Sequence, residues 1–385
     1  MPMLNFAHGD DLEQLSQLVW RFAQREIVPQ VAQIEQHGID RSLWAAMGAL
    51  GLSGVTVSPA YGGSELGYLA QAIIMEQLSR ASASLGLSYA AHANLCVNQL
   101  SRYGSEAIKQ RFLPGLLDGS LIGALAMSEV GAGSDVVNLS LKATTTGSDY
   151  SLSGEKMWIT NGAIADLFIV YARLDNIAGA AGIKAFIVER DVAGFSSGRA
   201  IDKLGMRGST TTPLYFDQCV VPAANVLTDQ TTGVAVLMSG LAYERAVLAA
   251  GPLGIMRACL DTVIPYVRER QQFGKPLGEF ELVQAKLADM YSRYTSAKAL
   301  VYAVCGAADR GEPISRDAAT AILLAAENAT QVALDSIQLL GGNGYTSDYP
   351  CERFLRDAKL YEIGAGTSEI RRMLIGRSLY SNRDF

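Results

Sequence analysis

The chain has 385 residues, a formal net charge of -6 and five cysteines. Its length predicts two or three domains, and the acidic balance argues against nucleic acid or an anionic membrane as a partner. The cysteines are scattered singly without a CxxC pair, so neither a zinc site nor a disulfide framework is indicated. We see no secretion or import signal, and the apolar run at 246–256 is shorter than a membrane span. These features predict a cytoplasmic protein without membrane insertion.

The first 122 residues show the spacing of amphipathic helices. Leu12, Leu15, Val19 and Phe22 recur at steps of three and four residues behind an acidic start, which is typical of a helix. We predict an N-terminal helical domain over residues 1–122.

Residues 123–228 have a different texture, with short runs rich in β-branched and aromatic residues between turn signals. The candidate strands are MWIT, LFIVYARL, KAFIVE and PLYFDQCVV. Consecutive strands without intervening helices favour an antiparallel sheet or barrel. No GxGxxG motif follows a strand, so a Rossmann domain is not supported.

Helical spacing returns in residues 229–385, in long segments at 234–268, 279–310 and 315–340. Long helices with short links predict a bundle. The predicted fold class is therefore mainly α with a middle antiparallel β domain.

One acid in this last region occupies a position where a leucine would be expected. Leu237, Leu241, Glu244 and Leu248 fall on one helix face, so Glu244 is predicted to be buried among apolar side chains. Burial raises the pKa of a carboxyl group and prepares it to take a proton. The alternative is a structural ion pair with Arg245 or Arg257.

Several motifs occur in a fixed order along the chain. The segment AMSEVGAGSD begins at Ala126, WITNG at Trp158, RQQFG at Arg270, QLLGGNGYTSDYPCERFLRD at Gln338 and GTSEIRR at Gly366. Together they resemble the acyl-CoA dehydrogenase family over essentially the whole chain, and the isovaleryl-CoA dehydrogenase branch most of all. The resemblance implies an α-helical domain, a β-barrel domain and a C-terminal four-helix bundle.

The resemblance also implies FAD as the cofactor, with no metal. Glycines that allow close backbone approach and a nearby arginine suit the diphosphate, while small and hydroxyl residues suit the flavin ring. The residues carried over as FAD-binding are Met127, Ser128, Gly133, Ser134, Trp158, Ile159, Thr160, Arg270, Phe273, Gln338, Gly341, Gly342, Thr367, Ser368 and Glu369.

The family removes the α-proton of an acyl thioester with a glutamate, while the β-hydrogen leaves as hydride to the flavin. Most members keep this base near the C-terminus, where the present chain has Ala365. The isovaleryl branch shares that loss and places its base on the earlier helix, at the position of Glu244. Glu362 and Glu369 flank Ala365, but both are offset from the position of the base.

The same resemblance suggests a short β-branched acyl group, because Gly364 stands where other branches have a tyrosine. For Leu95, a pocket wall and ordinary helix packing remain equal alternatives. The residues assigned to the substrate are Ser134, Leu95, Tyr243, Arg245, Gly364, Ala365 and Gly366.

The chain differs from the isovaleryl branch at positions where members of that branch bind coenzyme A. Ala242, Tyr243 and Ala235 replace an aspartate, a leucine and a tyrosine, and the loop at 178–182, including Ala181, lacks a Ser-Arg pair. Either CoA is bound through other residues, or the acyl group arrives on the phosphopantetheine arm of a carrier protein. Glu281 also replaces a glutamine that touches FAD across a subunit boundary in relatives, which would lower flavin affinity unless its side chain points elsewhere.

Three functional classes follow from the resemblance. The leading hypothesis is a dehydrogenase that passes electrons to electron-transferring flavoprotein. The alternatives are an oxidase that uses oxygen and a non-catalytic binding protein on the same scaffold. A homotetramer is the expected assembly.

Overall fold

The computed structural model of the chain describes residues 9–177, 179–228 and 231–381. The N-terminal part consists of helices with short links. Local side-chain caps set where several of them begin: Asp40 accepts a hydrogen bond from the Ser42 N–H at 2.8 Å, and Ser105 accepts one from the Ile108 N–H at 3.3 Å. The helices are α1 Asp10–Phe22, α2 Val31–His37, α3 Arg41–Ala49, α4 Gly67–Ala81, α5 Ala83–Ala90, α6 Gln99–Tyr103 and α7 Glu106–Leu117.

The middle part is a seven-stranded sheet in the order β1-β4-β2-β3-β7-β6, with β5 also paired to β4. All four predicted strand runs lie in it. The strands are β1 Gly123–Ala126, β2 Lys142–Thr146, β3 Asp149–Thr160, β4 Leu167–Leu174, β5 Ile183–Glu189, β6 Phe195–Ser197 and β7 Thr211–Val221.

The sheet differs from the predicted purely antiparallel arrangement. Strand β4 pairs in parallel with both β1 and β2, and the other pairings within this sheet are antiparallel. A parallel pair needs a long connection between its strands, and the β2–β3 hairpin supplies one between β1 and β4. The sequence did not reveal β1, because its residues GALA carry no β-branched or aromatic side chain.

The C-terminal part returns to long helices, close to the predicted ranges. The segment predicted at 234–268 is divided at Ala249 into two helices. The elements are α8 Gly233–Leu248, α9 Ala250–Glu269, the short strands β8 Gln271–Gln272 and β9 Lys275–Pro276, and helices α10 Glu281–Asp309, α11 Ser315–Leu340, α12 Cys351–Leu360 and α13 Ser368–Ser381.

Helix α8 lies where the three parts of the chain meet. It contacts α4 and the segment Ala91–Asn98 of the N-terminal part, β5 of the sheet, and α10 and α11 of the C-terminal part. The predicted class, mainly α with a middle β domain, is confirmed. The exact domain boundaries at 122 and 228 stay predictions.

Within the described ranges, one helical run, Gly233–Glu269, is long and apolar enough to cross a membrane by length and composition. However, 78% of its most apolar window is buried inside the protein. This run is therefore weak evidence for a membrane span, because a core helix of a globular protein has the same properties. No cluster of three potential metal ligands occurs among the described residues.

Candidate active site

Glu244 lies on α8, about one turn before the helix ends. The Thr232 hydroxyl begins this helix by accepting a hydrogen bond from the Ala235 N–H at 3.2 Å. Leu241 and Leu248 are buried, and Glu244 lies between them at helical spacing. Glu244 itself is half-buried rather than fully buried as predicted, while these two apolar neighbours on its helix face are buried.

The carboxylate of Glu244 is only partly satisfied by its surroundings. Its Oε2 atom is buried and accepts no hydrogen bond from the described part of the chain. Burial raises the pKa of Glu244 to about 7, although the charges of Arg245 and Arg371 act in the opposite direction. A carboxyl group with this pKa is suited to accept a proton near neutral pH.

The structural ion pair considered from the sequence is not formed. Arg245 turns to the backbone, and its Nε donates to the Ala365 carbonyl at 3.1 Å. Arg257 pairs with Asp261 instead, at 3.0 Å between Nε and Oδ1. Glu244 has no ion-pair partner within 4.0 Å among the described residues, which leaves it available for chemistry.

Residues 361–366, called here the 361–366 turn, face α8 through this contact with Arg245. Ala365 has a left-handed backbone with φ of +57°, and Gly366 follows with φ of +93°. Ala365 offers only a methyl group, so it cannot remove a proton. A Cβ added at Gly364 would meet one described atom within 4 Å, the Leu360 carbonyl oxygen at 3.6 Å. There is consequently open space beside Gly364.

Leu95 lies on the π-helical segment Ala91–Asn98, which packs against α8. It is partly exposed, whereas all its neighbours in the segment are buried. Single π turns occur often at functional sites because they shift the face that a helix presents. The partial exposure of Leu95 favours a role in a pocket wall over ordinary core packing.

Tyr243 belongs to an aromatic group that sequence reasoning missed. Its ring stacks on Tyr68 with centroids 4.5 Å apart, and the Arg102 guanidinium lies 4.2 Å from the ring centroid. Arg102 Nη2 also donates to the Ser239 hydroxyl at 2.9 Å. Tyr68 and Arg102 come from distant parts of the chain, so their spacing in the sequence gave no signal.

The residues assigned to the flavin ring come together where the end of β3 meets the segment that follows β1. The Met157 N–H donates to the Ser128 carbonyl at 2.9 Å, which joins the start of the 128–134 segment to β3. Trp158 is 52% exposed, with φ of +60°, and a Cβ at Gly133 would lie 3.9 Å from its ring. Met127 and Ser134 follow β1, Thr160 ends β3, and all three are at least partly exposed. Ile159 is buried.

A second group lines a cavity of about 550 Å³ between the end of α9, the start of α10 and the end of α11. Arg270, Gln338, Gly341 and Gly342 are among its lining residues. No described atom lies within 4 Å of a Cβ placed at either glycine, so a ligand can approach their backbone closely. Phe273, predicted for the same group, is 93% exposed on the β8–β9 hairpin.

Thr367, Ser368 and Glu369 begin helix α13. The Ser368 hydroxyl is buried without a hydrogen-bond partner in the described chain, and Glu369 is exposed. An orphaned hydroxyl, open glycine backbone and an exposed Arg270 fit the polar parts of FAD. Glu281 is exposed and is not among the residues that line the cavity; its effect on FAD across a subunit boundary stays a prediction.

Sequence models of the family match nearly the whole chain. They are described as Acyl-CoA dehydrogenase, N-terminal domain, at residues 9–120, middle domain at 124–219, and C-terminal domain at 231–380. The chain is 54% identical to isovaleryl-CoA dehydrogenase, mitochondrial, of Oryza sativa subsp. japonica over 96% of this chain and 91% of the relative. It is 52% identical to 2-methylacyl-CoA dehydrogenase, mitochondrial, of Solanum tuberosum over 97% and 92%.

The chain also resembles the crystal structure of the prolyl acyl carrier protein oxidase AnaB. The TM-score is 0.93 at 33% identity, over 97% of this chain and 100% of that one. Three family models in order, and relatives above 50% identity over most of their length, agree with the arrangement of helices and sheet. The chain belongs to the acyl-CoA dehydrogenase family of flavin-dependent oxidoreductases.

Proposed function

We propose that this protein dehydrogenates a short branched acyl-CoA between its α and β carbons, with Glu244 as the base. The observation that carries the proposal is the buried Oε2 of Glu244, which has no hydrogen-bond partner in the described chain. A carboxylate left without donors in an apolar setting is a strong acceptor for a substrate proton. FAD, when bound, accepts the β-hydrogen as hydride.

The other acids near the 361–366 turn are less suited to the task. Glu362 is in an ion pair with Lys359 at 2.7 Å and accepts a hydrogen bond from the Thr330 hydroxyl. Glu369 is exposed at the start of α13. Both lack the apolar surroundings that keep a carboxylate reactive near neutral pH.

The acyl group is proposed to lie against Gly364 and Leu95. The space beside Gly364 would be filled by any larger side chain, and a β-methyl group needs such space. Relatives named for isovaleryl-CoA and 2-methylacyl-CoA support a branched substrate. We propose an isovaleryl-like group, with Ser134, Tyr243, Arg245, Ala365 and Gly366 around the remaining atoms.

A second candidate is the same reaction on an acyl group bound to a carrier protein. Ala242 is buried and Ala235 is an exposed methyl, so neither replaces the polar handles expected for CoA. Ala178 lies outside the described residues, and Ala181 is exposed. Two observations support a carrier-bound substrate. Tyr243 stacks on Tyr68, and the chain is similar to a prolyl acyl carrier protein oxidase.

The identity of the thioester carrier is tested by anaerobic bleaching of the flavin. Isovaleryl-CoA and the same acyl group on a phosphopantetheinylated carrier protein are mixed separately with the enzyme. Rapid bleaching by isovaleryl-CoA supports the acyl-CoA reaction. Bleaching by the carrier-bound group alone would instead establish the second candidate. If neither bleaches the flavin, the non-catalytic alternative gains support.

The assignment of the base is tested with Glu244→Gln. This variant keeps the shape of the side chain and removes its basicity, so we expect a folded, yellow protein that loses most of its flavin reduction rate. Glu13→Gln is a matched control at an exposed acid on α1, outside every residue assigned to substrate or cofactor, and should reduce at the parental rate. A parental rate in the Glu244 variant would refute the assignment.

We also propose electron-transferring flavoprotein as the acceptor and a homotetramer as the assembly. Large apolar side chains such as Phe273 and Leu282, 93% and 84% exposed, support a subunit interface. Fast reoxidation in air with peroxide release would favour an oxidase instead.

The cytoplasmic location expected from the sequence stays a prediction, while the two curated relatives above are named as mitochondrial.

A further inference from the structure

We propose that Arg371 is a positioning residue of the reaction, which both holds the 361–366 turn in place and favours the ionised form of Glu244. This inference rests on the proposed role of Glu244 as the base. It concerns a buried arginine on α13, outside the residues that the resemblance assigns to substrate or cofactor.

The side chain of Arg371 is fully buried beneath the turn. Its Nη1 donates to the Tyr361 carbonyl at 2.8 Å, and its Nη2 donates to the Gly364 carbonyl. Arg245 adds the contact with the Ala365 carbonyl from the side of α8. Two arginines from different helices therefore hold three carbonyl groups of one short turn.

The turn needs such support because its backbone is strained. A non-glycine residue in the left-handed region, such as Ala365, is unfavourable because its Cβ lies too close to the following carbonyl oxygen. The turn also follows the C-terminus of α12, where the last carbonyl groups have no partners within the helix. The guanidinium of Arg371 satisfies carbonyls there and fixes the path of the chain toward Gly364.

Few other carboxylates around Arg371 are available to interact with its charge. Its Nε is buried and makes no hydrogen bond to the described residues. Apart from Glu244, the acids whose charges act on Arg371 are Glu327 and Glu362. Glu327 is already paired with Arg372 at 2.7 Å, and Glu362 with Lys359 at 2.7 Å. Glu244 Oε2 has no hydrogen-bond partner among the described residues, and Arg245, beside it on α8, contacts the same turn that Arg371 holds.

The pKa values of the two groups agree with this relationship. Burial, and then the charge of Arg245, lowers the pKa of Arg371 to about 10, while the charge of Glu244 opposes the shift. In turn, Arg371 and Arg245 both counter the rise that burial causes in the pKa of Glu244. The charged or titratable groups around the pair are Arg245 on α8, Tyr171 on β4, Glu327 on α11 and Glu362 after α12.

The test compares variants that separate charge from shape. Arg371→Met removes the charge and the donors, Arg371→Gln keeps an amide donor without the charge, and Arg371→Lys keeps the charge without the forked donors. Arg372→Met is the matched control, because Arg372 is exposed on the same helix. Anaerobic flavin reduction by the acyl thioester is followed from pH 6 to pH 9 for each protein.

We expect the kinetic pKa to rise by about 1 unit in Arg371→Met and Arg371→Gln, because one nearby positive charge is lost. The rate should fall most below neutral pH and recover toward high pH. Arg371→Lys and Arg372→Met should keep the parental pKa. A purely structural role would lower the rate equally at every pH, and that result would overturn the electrostatic part of the proposal.

Amide hydrogen exchange in the absence of substrate tests the hold on the turn. The Ser368 amide, which donates to the Glu362 carbonyl across the turn at 2.9 Å, should exchange faster in all three Arg371 variants than in Arg372→Met. Unchanged exchange would overturn that part. If Arg371→Met does not fold, Arg371→Gln and Arg371→Lys still provide the comparison. A parental rate in Glu244→Gln would refute the role of Glu244 as the base. If Glu244→Gln is inactive but the Arg371 variants keep the parental kinetic pKa, only the electrostatic role of Arg371 is refuted.

Discussion

The ammonium group of Lys156 lies 2.8 Å from Glu129 Oε1 and 2.9 Å from the carbonyl oxygen of Met127, with both charged side chains almost completely buried. Glu129 also accepts hydrogen bonds from the Ser140 N–H and hydroxyl, each at 2.6 Å. The pair therefore joins β3 to the segment that follows β1. This segment contains Ser128 and Ser134, which are assigned to the flavin.

Replacing Lys156 by methionine should destabilise the protein and loosen this segment. The change leaves the carboxylate of Glu129 buried without its cation, which typically costs on the order of 3 to 5 kcal/mol. We expect a lower melting temperature and less retained FAD after gel filtration. Lys142→Met, at an exposed lysine on β2, serves as the control. A parental flavin content in Lys156→Met would contradict the role of the pair.

The rate of flavin reduction should depend on the ionisation of Glu244. Because its pKa lies near 7, the acid is increasingly protonated below that pH and cannot accept the α-proton. We expect the anaerobic rate to rise about tenfold per pH unit at low pH and level off above about pH 7. Stopped-flow absorbance between pH 5.5 and 9 measures this, and a flat profile would argue against a carboxylate base.

A tyrosine at position 364 should change the choice of substrate. The backbone of Gly364 is not left-handed, and a Cβ there makes only an ordinary contact, so the ring can be built without strain in the turn. It would occupy the space proposed for the β-methyl group. Gly364→Tyr should lose on the order of 10-fold or more in kcat/KM for isovaleryl-CoA relative to butyryl-CoA.

The matched control for this change is Ile363→Tyr, where the same ring is placed at the neighbouring exposed position. It should leave the ratio of the two substrates unchanged. Equal loss for both acyl groups in Gly364→Tyr would show that the residue does not discriminate branching.

Asp357 should make stability depend on pH. It is buried on α12 and accepts a hydrogen bond from the Met206 N–H at 2.5 Å. Burial, and then the charge of Glu35, raises its pKa to about 7. The folded state therefore binds this proton more tightly than the unfolded state, so stability is present at low pH and declines as pH rises from about 4 to 7.

Asp357→Asn keeps the acceptor oxygen and removes the charge. We expect its melting temperature to fall less between pH 4 and pH 7 than that of the parent protein. Asp348→Asn, at an exposed aspartate in the same motif, should retain the parental dependence. If Asp357→Asn follows the parental curve, another group controls this part of the pH response.

The sequence predicted the main features of the fold from local patterns. Helical spacing placed Glu244 among apolar residues because the helix period alone determines which residues share a face. The runs LFIVYARL and PLYFDQCVV were predicted as strands from their β-branched and aromatic residues, and they lie in β4 and β7. The base was chosen by combining this position with the resemblance to the isovaleryl branch, which implies that Ala365 stands where other branches keep their glutamate.

Relationships between distant segments were not predictable in this way. The parallel pairing of β1 with β4 joins residues more than forty positions apart, and β1 lacks strand-forming side chains. Arg371 binds backbone carbonyls, which carry no mark in the sequence. Tyr68 and Tyr243 meet only because α4 and α8 pack together. Such contacts depend on the tertiary arrangement, which local spacing does not encode.

The π-helical segment Ala91–Asn98 makes the position of Leu95 depend on chain length as well as on side-chain type. A π turn holds one more residue than the α-helical turn it replaces. Deleting one residue there would let the helix return to its regular form with the residues beyond it still in register, because the π turn already accommodates the extra residue. Such a deletion would therefore change the wall beside α8 at Leu95 and its immediate neighbours, while the rest of the helix kept its orientation.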